Sequence, residues 1–254
     1  GRVFVSSLVG HSLDALKTGL PTLQILHDHF PVWPLLSVRP DPYLQDDQPA
    51  QLADALQQHI RNQEFPDKNA ASWTDIQPAY LQALSEHDVK LAAPGESVKT
   101  LQKRLLPAFR SLAIDVIPHG FPAMAEQQNI VPKPRKDGRL RMVILGRMQT
   151  GKGQELLTKA LPGLAEYVQV YLLGAGQSGE QFFGIPGVDV ILEYDRDELG
   201  SILSTIGPDF AALLSVVPET FSFTLSELQQ FHIPAIATRA GSFPDRIQHG
   251  TSGW

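Results

Sequence analysis

Cysteine is absent from the 254-residue chain, which excludes disulfide bonds, thiolate metal ligands and a cysteine nucleophile. Long hydrophobic runs are also missing, because no stretch reaches the about 18 apolar residues that a membrane span needs. The chain does not open on a signal-peptide pattern. Positive charge is not in excess, since 27 acidic residues face 21 Lys and Arg. We therefore expect no transmembrane segment and no nucleic-acid partner, in a cytoplasmic protein for which peripheral contact with the inner face of a membrane stays open.

Short apolar runs alternate along the chain with segments of helical spacing. In the second half these runs are RLRMVILG, VQVYLLG, VDVILEY, DFAALLSV and IPAIATR. Continuous apolar strands separated by helices are typical of a parallel sheet covered on both faces. The pattern predicts an α/β protein with two Rossmann-like lobes. We place a partial first lobe at 1–118, a linker at 119–138 and a second lobe at 139–254.

The first half is less regular, and its helices are predicted from spacing and capping residues. The segment DDQPAQLADALQQHIRNQ is one helical island, HSLDALKTG is a short helix, and SVKTLQKRLLPAF is another helix. In WTDIQPAYLQALSEH, Asp75 is the predicted N-cap. The chain opens on the strand-like GRVFVSS and stops at GTSGW without a closing helix. We expect it to be a piece of a longer polypeptide, with an incomplete first lobe and a second lobe truncated at its C-terminal end.

The segment GRMQTGKG, at 146–153, follows a predicted strand and precedes a predicted helix. It contains Gly-x-x-x-x-Gly-Lys, but Gly153 stands where a P-loop nucleotide hydrolase needs Ser or Thr to hold magnesium. Backbone N–H groups at a helix N-terminus favour an anion, and Arg147 and Lys152 add two cations. The segment is therefore either a phosphate site without a metal ligand or a solvated turn with two exposed cations.

The segment LLGAGQSG matches the dinucleotide pattern G-x-G-x-x-G after a strand, through Gly174, Gly176 and Gly179. The acidic residues Glu193 and Asp195 come earlier than the about 20 positions that the dinucleotide fingerprint requires. A tight strand-to-helix turn that needs flexible glycines is favoured over a dinucleotide site.

The segment PETFSFTLSE follows the most apolar strand of the second half. Glu219 lies at the strand tip and Glu227 lies inside the following helix. Carboxylates accept hydrogen bonds from sugar hydroxyls, and helix N–H groups donate to phosphate, so the segment suits a ligand that carries both. For Glu227 a structural alternative exists, because Thr224-x-x-Glu227 has the spacing of a capping box.

Taken in order, these segments resemble the retaining GT-B glycosyltransferases called glycosyltransferase group 1. The resemblance rests on the Glu-x7-Glu pair, on ILGRMQTGKGQELLTKAL, and on VIPHGF before the linker, and LHDHFPVWP and AAPGES resemble first-lobe segments. It covers nearly the whole chain. It implies transfer of a sugar from a nucleotide-diphosphate sugar, with UDP or GDP as the carrier, to an acceptor hydroxyl. The family works with retention of configuration and without a cofactor or an obligatory metal.

The resemblance also implies roles for individual residues. Arg147 and Lys152 match the clamp on the donor diphosphate, and Glu227 matches the carboxylate that holds the ribose. Glu219 matches the catalytic carboxylate that addresses the donor sugar. The remaining residues that match donor-binding positions are Gly146, Phe221, Ser222, Phe223 and Thr224.

Two histidines enter through the first-lobe segments. His27, in LHD, resembles a catalytic first-lobe histidine that faces the donor sugar. His119 and Gly120, in VIPHGF, are further candidate site residues, and for His119 the alternative is a polar residue that fixes the hinge. The acceptor implied by the family is a sugar, a glycan or a lipid-linked glycan, as in polysaccharide biosynthesis.

The chain departs from the family pattern at three positions near the site. Many relatives carry glycine where Ser222 stands, and a small residue and glycine where Phe231 and His232 stand. Two other functions stay open at this point: a nucleotide-sugar-binding module without catalysis, and a P-loop-like NTPase, against which Gly153 argues.

Overall fold

The computed structural model of the protein describes residues 1–59, 70–122, 129–133 and 137–254. The end of the predicted helical island, from residue 60, and much of the predicted linker lie outside these ranges. The chain divides into two compact units, Gly1–His119 and Gly120–Trp254. Each unit is built on its own parallel sheet, so the predicted α/β class with two parallel-sheet lobes is confirmed.

The first unit has a four-stranded parallel sheet in the order β1-β2-β3-β4. Its elements are β1 Val3–Val5, β2 Thr22–Ile25, α1 Leu52–Gln58, α2 Ala70–Glu86, β3 Val89–Ala93, α3 Glu96–Leu105 and β4 Ile114–Val116. Short 3-10 turns connect them, at Leu13–Leu16, Asp41–Tyr43 and Pro107–Ser111. One core of buried residues, with Tyr80 of α2 and Phe109 among its largest members, holds this unit together.

Three helix predictions in the first unit need correction. The N-cap at Asp75 is wrong, because α2 already runs from Ala70 and an N-cap residue needs a non-helical backbone. The predicted helix in HSLDALKTG is a single 3-10 turn, Leu13–Leu16. The helix α3 ends at Leu105 instead of running on, because Pro107 disfavours the helical conformation in the residue before it and lacks an N–H.

The second unit has a five-stranded parallel sheet in the order β7-β6-β5-β8-β9. Its elements are β5 Leu140–Leu145, α4 Gln154–Leu164, β6 Val168–Leu173, β7 Val188–Ile191, α5 Leu199–Ile206, β8 Phe210–Leu213, α6 Phe223–Gln230, β9 Ala235–Ala237 and α7 Phe243–Arg246. After β5 the chain adds β6 and β7 along one edge of that strand, and it then crosses to the other edge of β5 to form β8 and β9. The strand order therefore reverses between β5 and β8, which is where open α/β sheets bind ligands beyond the carboxyl ends of their strands.

Both faces of this second sheet are buried, which explains the continuous apolar runs in the sequence. On β5, Val143 and Leu145 pack on one face with a cluster that includes residues of α5 and α6. Met142 and Ile144 pack on the other face with Leu157 and other buried side chains. Since neighbouring side chains of a strand point to opposite faces, the buried part of β5, from Met142 to Leu145, is apolar at consecutive positions.

Candidate functional site

A cavity of about 300 Å³ lies in the second unit, where β5 and β8 end. This position agrees with the reversal of strand order in the sheet. It brings together six of the residues that the sequence predicts for the site. The six are Gly146, Arg147, Lys152, Glu219, Ser222 and Thr224. Phe221, Phe223 and Glu227 belong to the same turn and helix, although they do not line the cavity itself.

The loop after β5 can turn this tightly only because of glycine. Gly146 and Gly153 both have a left-handed backbone, with φ of 94° and 87°. A side chain at Gly153 would place its Cβ 2.2 Å from the backbone oxygen of Leu214. Gly153 therefore allows the start of α4 to lie directly against the end of β8, and a serine or threonine there would be excluded by the backbone.

Lys152 and Glu219 form an ion pair at the cavity, with the ammonium group hydrogen-bonded to the Oε1 atom of the carboxylate. The Glu219 side chain is only 13% exposed, whereas the Lys152 side chain is 46% exposed. The loop around Gly241 holds the backbone of Glu219, because the amide of Ser242 donates to the Glu219 carbonyl at 2.7 Å. The predicted diphosphate cation and the predicted sugar carboxylate are thus neighbours.

Arg147, the second predicted cation, lies over the glycine-rich turn that follows β6. A Cβ at Gly176 would be 3.4 Å from Cγ of Arg147, which shows that the stem of Arg147 lies against this turn. Gly174 and Gly176 have left-handed backbones, with φ of 73° and 63°. The segment LLGAGQSG is therefore a tight turn, as predicted, and it supports the aliphatic part of Arg147.

Glu227 does not take part in a capping box. The N-cap of α6 is Ser222, whose Oγ accepts from the amide of Leu225, so Thr224 already lies inside the helix. The Glu227 carboxylate instead accepts a hydrogen bond from Nε of Arg196 at 3.1 Å. The capping-box alternative for Glu227 is therefore wrong, because the N-cap is Ser222, two residues before the Thr224 that this spacing requires.

Burial and the neighbouring Arg196 shift the pKa of Glu227 in opposite directions. Its side chain is 12% exposed, and burial raises the pKa of the carboxyl above its ordinary value of 4.5, while Arg196 lowers it. Arg196 is 47% exposed, and its guanidinium lies 4.8 Å from the centre of the Phe121 ring. Burial, with the charge of Glu227 as a further cause, also raises the pKa of Tyr194 to about 12.

Two arginines of the second unit were missed by sequence reasoning. Arg196 comes soon after the end of β7, a position where site residues are expected, so its place in the chain was an available signal. Arg246 gives no such signal. It lies in α7, and its guanidinium donates to the carbonyls of Phe221 and Ser222 in the turn before α6.

In the first unit, the structure brings together His27 and His119. Their rings are stacked, with centroids 4.4 Å apart and an angle of 24° between the planes. The neighbouring Asp28 accepts from Oγ of Ser7 at 2.8 Å and from the amide of Phe30 at 2.9 Å. Burial raises the pKa of Asp28 despite these bonds. Gly120, the other candidate in this segment, is the first residue of the second unit.

The described ranges, 1–59, 70–122, 129–133 and 137–254, contain neither a metal-binding cluster nor a membrane-spanning helix. No group of three or more histidine or acidic side chains in those ranges is arranged to hold a metal ion. No helix in the same ranges combines the length and the apolar character that crossing a bilayer requires.

Solved structures with the same fold include glycosyltransferases. Over 100% of this chain, HepE of Anabaena in complex with UDP and glucose superposes with a TM-score of 0.58 at 15% identity. The lipopolysaccharide outer core galactosyltransferase WaaB superposes over 94% of the chain with a TM-score of 0.53 at 17% identity. A glycosyltransferase of Rickettsia africae gives a TM-score of 0.52 at 15% identity over 100% of the chain.

The two parallel-sheet units are thus the two lobes of the GT-B glycosyltransferase fold. The family model of glycosyl transferases group 1 matches residues 126–254, and the chain belongs to this family. It spans 63% of HepE and 62% of WaaB, and 82% of the Rickettsia enzyme. No curated protein sequence gives a significant match.

Proposed function

We propose that the protein acts in the transfer of a sugar from a nucleotide-diphosphate sugar to an acceptor hydroxyl, with retention of configuration and without a metal. The observation that carries the proposal is the cavity at the strand-order reversal, lined by Arg147, Lys152 and Glu219, in the part of the chain that matches the family. Cations, a carboxylate and the N-terminus of α6 suit a ligand with phosphates and hydroxyls.

The leaving group of the reaction is a nucleoside diphosphate, whose phosphates gain negative charge as the glycosidic bond breaks. Fixed cations and helix N–H groups stabilise such charge most when they are already in place before the reaction. Arg147 and Lys152 supply the cations, and the turn from Phe221 to Thr224 supplies the backbone amides. In this proposal the acceptor hydroxyl attacks from the face that the diphosphate leaves, which retains the configuration.

The Lys152–Glu219 pair has a direct role in this proposal. A bound diphosphate draws the ammonium group of Lys152 away from Glu219, because the diphosphate carries more negative charge than a single carboxylate. The Glu219 carboxylate is then available to accept hydrogen bonds from the donor sugar. In this proposal donor binding breaks the Lys152–Glu219 ion pair. Lys152 then contacts the diphosphate, and Glu219 contacts the sugar.

Glu227 is proposed to hold the ribose hydroxyls, and His27 to act on the sugar side. Burial raises the pKa of Glu227 and the neighbouring Arg196 opposes this rise, which favours the carboxylate form that accepts hydrogen bonds from hydroxyls. His27→Ala is expected to lower the rate of transfer while nucleotide affinity changes less than about two-fold. The acceptor is proposed to be a sugar, a glycan or a lipid-linked glycan.

The experiment for the proposed function starts with a thermal-shift screen of UDP, GDP, ADP and their sugar conjugates. UDP and UDP-glucose come first, since the structures of Anabaena HepE contain them. A ligand that binds the folded state raises the unfolding midpoint by mass action. The preferred donor is then incubated with the protein, and NMR identifies the anomer that is released first.

The outcomes of this screen separate three functions. Slow donor hydrolysis with release of the retained anomer supports the transferase. Binding without any turnover supports a nucleotide-sugar-binding module. Magnesium-dependent hydrolysis of ATP or GTP, lost in Lys152→Ala, would overturn the proposal in favour of an NTPase.

A further inference from the structure

The N-cap of α6 has a backbone conformation that is unusual for its residue type. Ser222 has φ of 65° and ψ of 90°, in the left-handed region. Glycine adopts this region freely, whereas a residue with a Cβ does so at a cost in free energy. Such a residue keeps this conformation only when its surroundings hold it there. Ser222 lines the cavity, so whatever holds it also shapes the candidate site.

Arg246 supplies these surroundings from a separate part of the sequence. Its Nη1 donates to the carbonyls of Phe221 and of Ser222, the latter at 2.9 Å. Its Nη2 donates to Oγ of Ser226 at 2.8 Å and to Oε1 of Gln229 at 3.3 Å. The guanidinium also lies 4.0 Å from the centre of the Phe221 ring. One side chain thus joins the turn before α6 to the first and second turns of that helix.

The two carbonyls determine the direction of the amides that follow them. In a planar trans peptide the C=O and the next N–H point in opposite directions. When Arg246 binds the carbonyls of Phe221 and Ser222, it therefore fixes the N–H groups of Ser222 and Phe223. These are among the amides that the proposed function assigns to the donor.

We propose that Arg246 is a positioning residue, which holds Ser222 in the left-handed conformation and so orients the backbone amides that bind the donor diphosphate. The inference rests on the proposed function for the ligand, but the hold on Ser222 can be measured without a ligand. Arg246 touches no substrate in this account. It performs through hydrogen bonds what a glycine at position 222 would achieve through its own conformational freedom.

The test uses Arg246→Leu, Ser222→Gly and the double variant in the full chain. We expect Arg246→Leu to weaken binding of the nucleoside diphosphate selected by the screen about ten-fold, which is ~1.4 kcal/mol. Adding Ser222→Gly is expected to bring the affinity back to within about three-fold of the unmodified protein, because glycine needs no support there and replaces an N-cap serine at little cost.

Arg141→Leu is the matched control. Arg141 is also a half-buried arginine of the second unit that donates to a backbone carbonyl, that of Ile206, away from the cavity. It should leave nucleotide affinity within about two-fold of the unmodified protein. Urea unfolding of each variant provides the second readout, since Arg246→Leu should cost less stability when residue 222 is glycine.

Each outcome decides one part of the proposal. Unchanged affinity in Arg246→Leu would overturn the positioning role, and so would a loss of affinity that Ser222→Gly fails to restore. If the unmodified protein binds no nucleoside diphosphate, the proposed function fails instead. In that case the coupling between the two substitutions in urea unfolding still decides whether Arg246 holds Ser222.

Discussion

The ammonium group of Lys152 is hydrogen-bonded to the carboxylate of Glu219, across 67 residues of sequence. Lys152 lies after β5, and Glu219 lies after β8, so the pair joins the two sides of the strand-order reversal in the sheet. Each partner has a separate role in the proposed reaction. We therefore expect substitution of Lys152 and substitution of Glu219 to have different effects on ligand binding.

Lys152→Ala should weaken nucleoside-diphosphate binding by about 1.5–3 kcal/mol, the scale of a hydrogen bond to a charged group. Glu219→Gln should leave this affinity equal or higher, because the lysine then has no competing carboxylate, while transfer of the sugar is lost. Isothermal titration calorimetry measures the affinities. Lys159→Ala, on the exposed face of α4, is the control and should leave nucleoside-diphosphate affinity unchanged. A loss of affinity in Glu219→Gln as large as in Lys152→Ala would contradict the exchange of partners.

The ribose role of Glu227 predicts how the protein distinguishes ribonucleotides from deoxynucleotides. The unmodified protein should bind the ribonucleoside diphosphate about ten-fold more tightly than its 2′-deoxy or 3′-deoxy form, because a carboxylate accepts from these hydroxyls. Glu227→Gln should reduce that preference for at least one of the two analogues. Competition calorimetry measures both ratios. An unchanged preference in the variant would place the ribose elsewhere.

The Arg196–Glu227 pair predicts a pH dependence of stability. Burial raises the pKa of Glu227 above 4.5, so the folded state holds its proton more tightly and loses stability as pH rises through that pKa. Removing Arg196 raises the pKa further and enlarges this loss. Arg196→Gln should therefore cost little stability near about pH 4 and about 1 kcal/mol near about pH 8, as for a half-exposed pair.

Urea unfolding at the two pH values measures this difference. The control is the same substitution in a Glu227→Gln background, where the group that titrates is absent. There the cost of Arg196→Gln should be the same at both pH values. A cost that stays independent of pH while Glu227 is present would show that the pair has no electrostatic role.

The close packing at Gly153 predicts that alanine is tolerated less well there than at Gly163, in the helix that follows. Gly153→Ala should lower the free energy of unfolding by about 2–4 kcal/mol, because the backbone there is left-handed and Cβ would overlap the carbonyl of Leu214. In Gly163→Ala, on the exposed side of the same helix, the new Cβ meets no neighbour. This substitution should raise the free energy of unfolding by up to about 1 kcal/mol. Thermal or urea unfolding of the two variants compares them, and a tolerated Gly153→Ala would refute the close approach.

The fold and much of the candidate site could be predicted from local patterns. The strands of the second unit carry mostly apolar residues because both faces of the sheet are covered, and the segments after β5 and β8 follow from where those strands end. Gly146, Arg147 and Lys152, which line the cavity, could be predicted as neighbours because they are close together in one loop of the sequence.

What could not be predicted depends on contacts between distant segments. Arg246 reaches the turn before α6 from α7, and nothing in SFPDRI shows this. The N-cap at Ser222 was missed because a left-handed serine is unexpected, which made Thr224 the better candidate. The capping-box pattern predicts that Glu227 accepts a hydrogen bond from a backbone amide, but its partner is the side chain of Arg196.

The most direct test of the account is calorimetric titration of the protein with a nucleoside diphosphate in the presence of EDTA, beside the Arg147→Ala and Lys152→Ala variants. The account predicts binding that is unaffected by EDTA and is weakened by about 1.5–3 kcal/mol in each variant. Absence of binding, binding that requires magnesium, or equal affinity in all three proteins would contradict it.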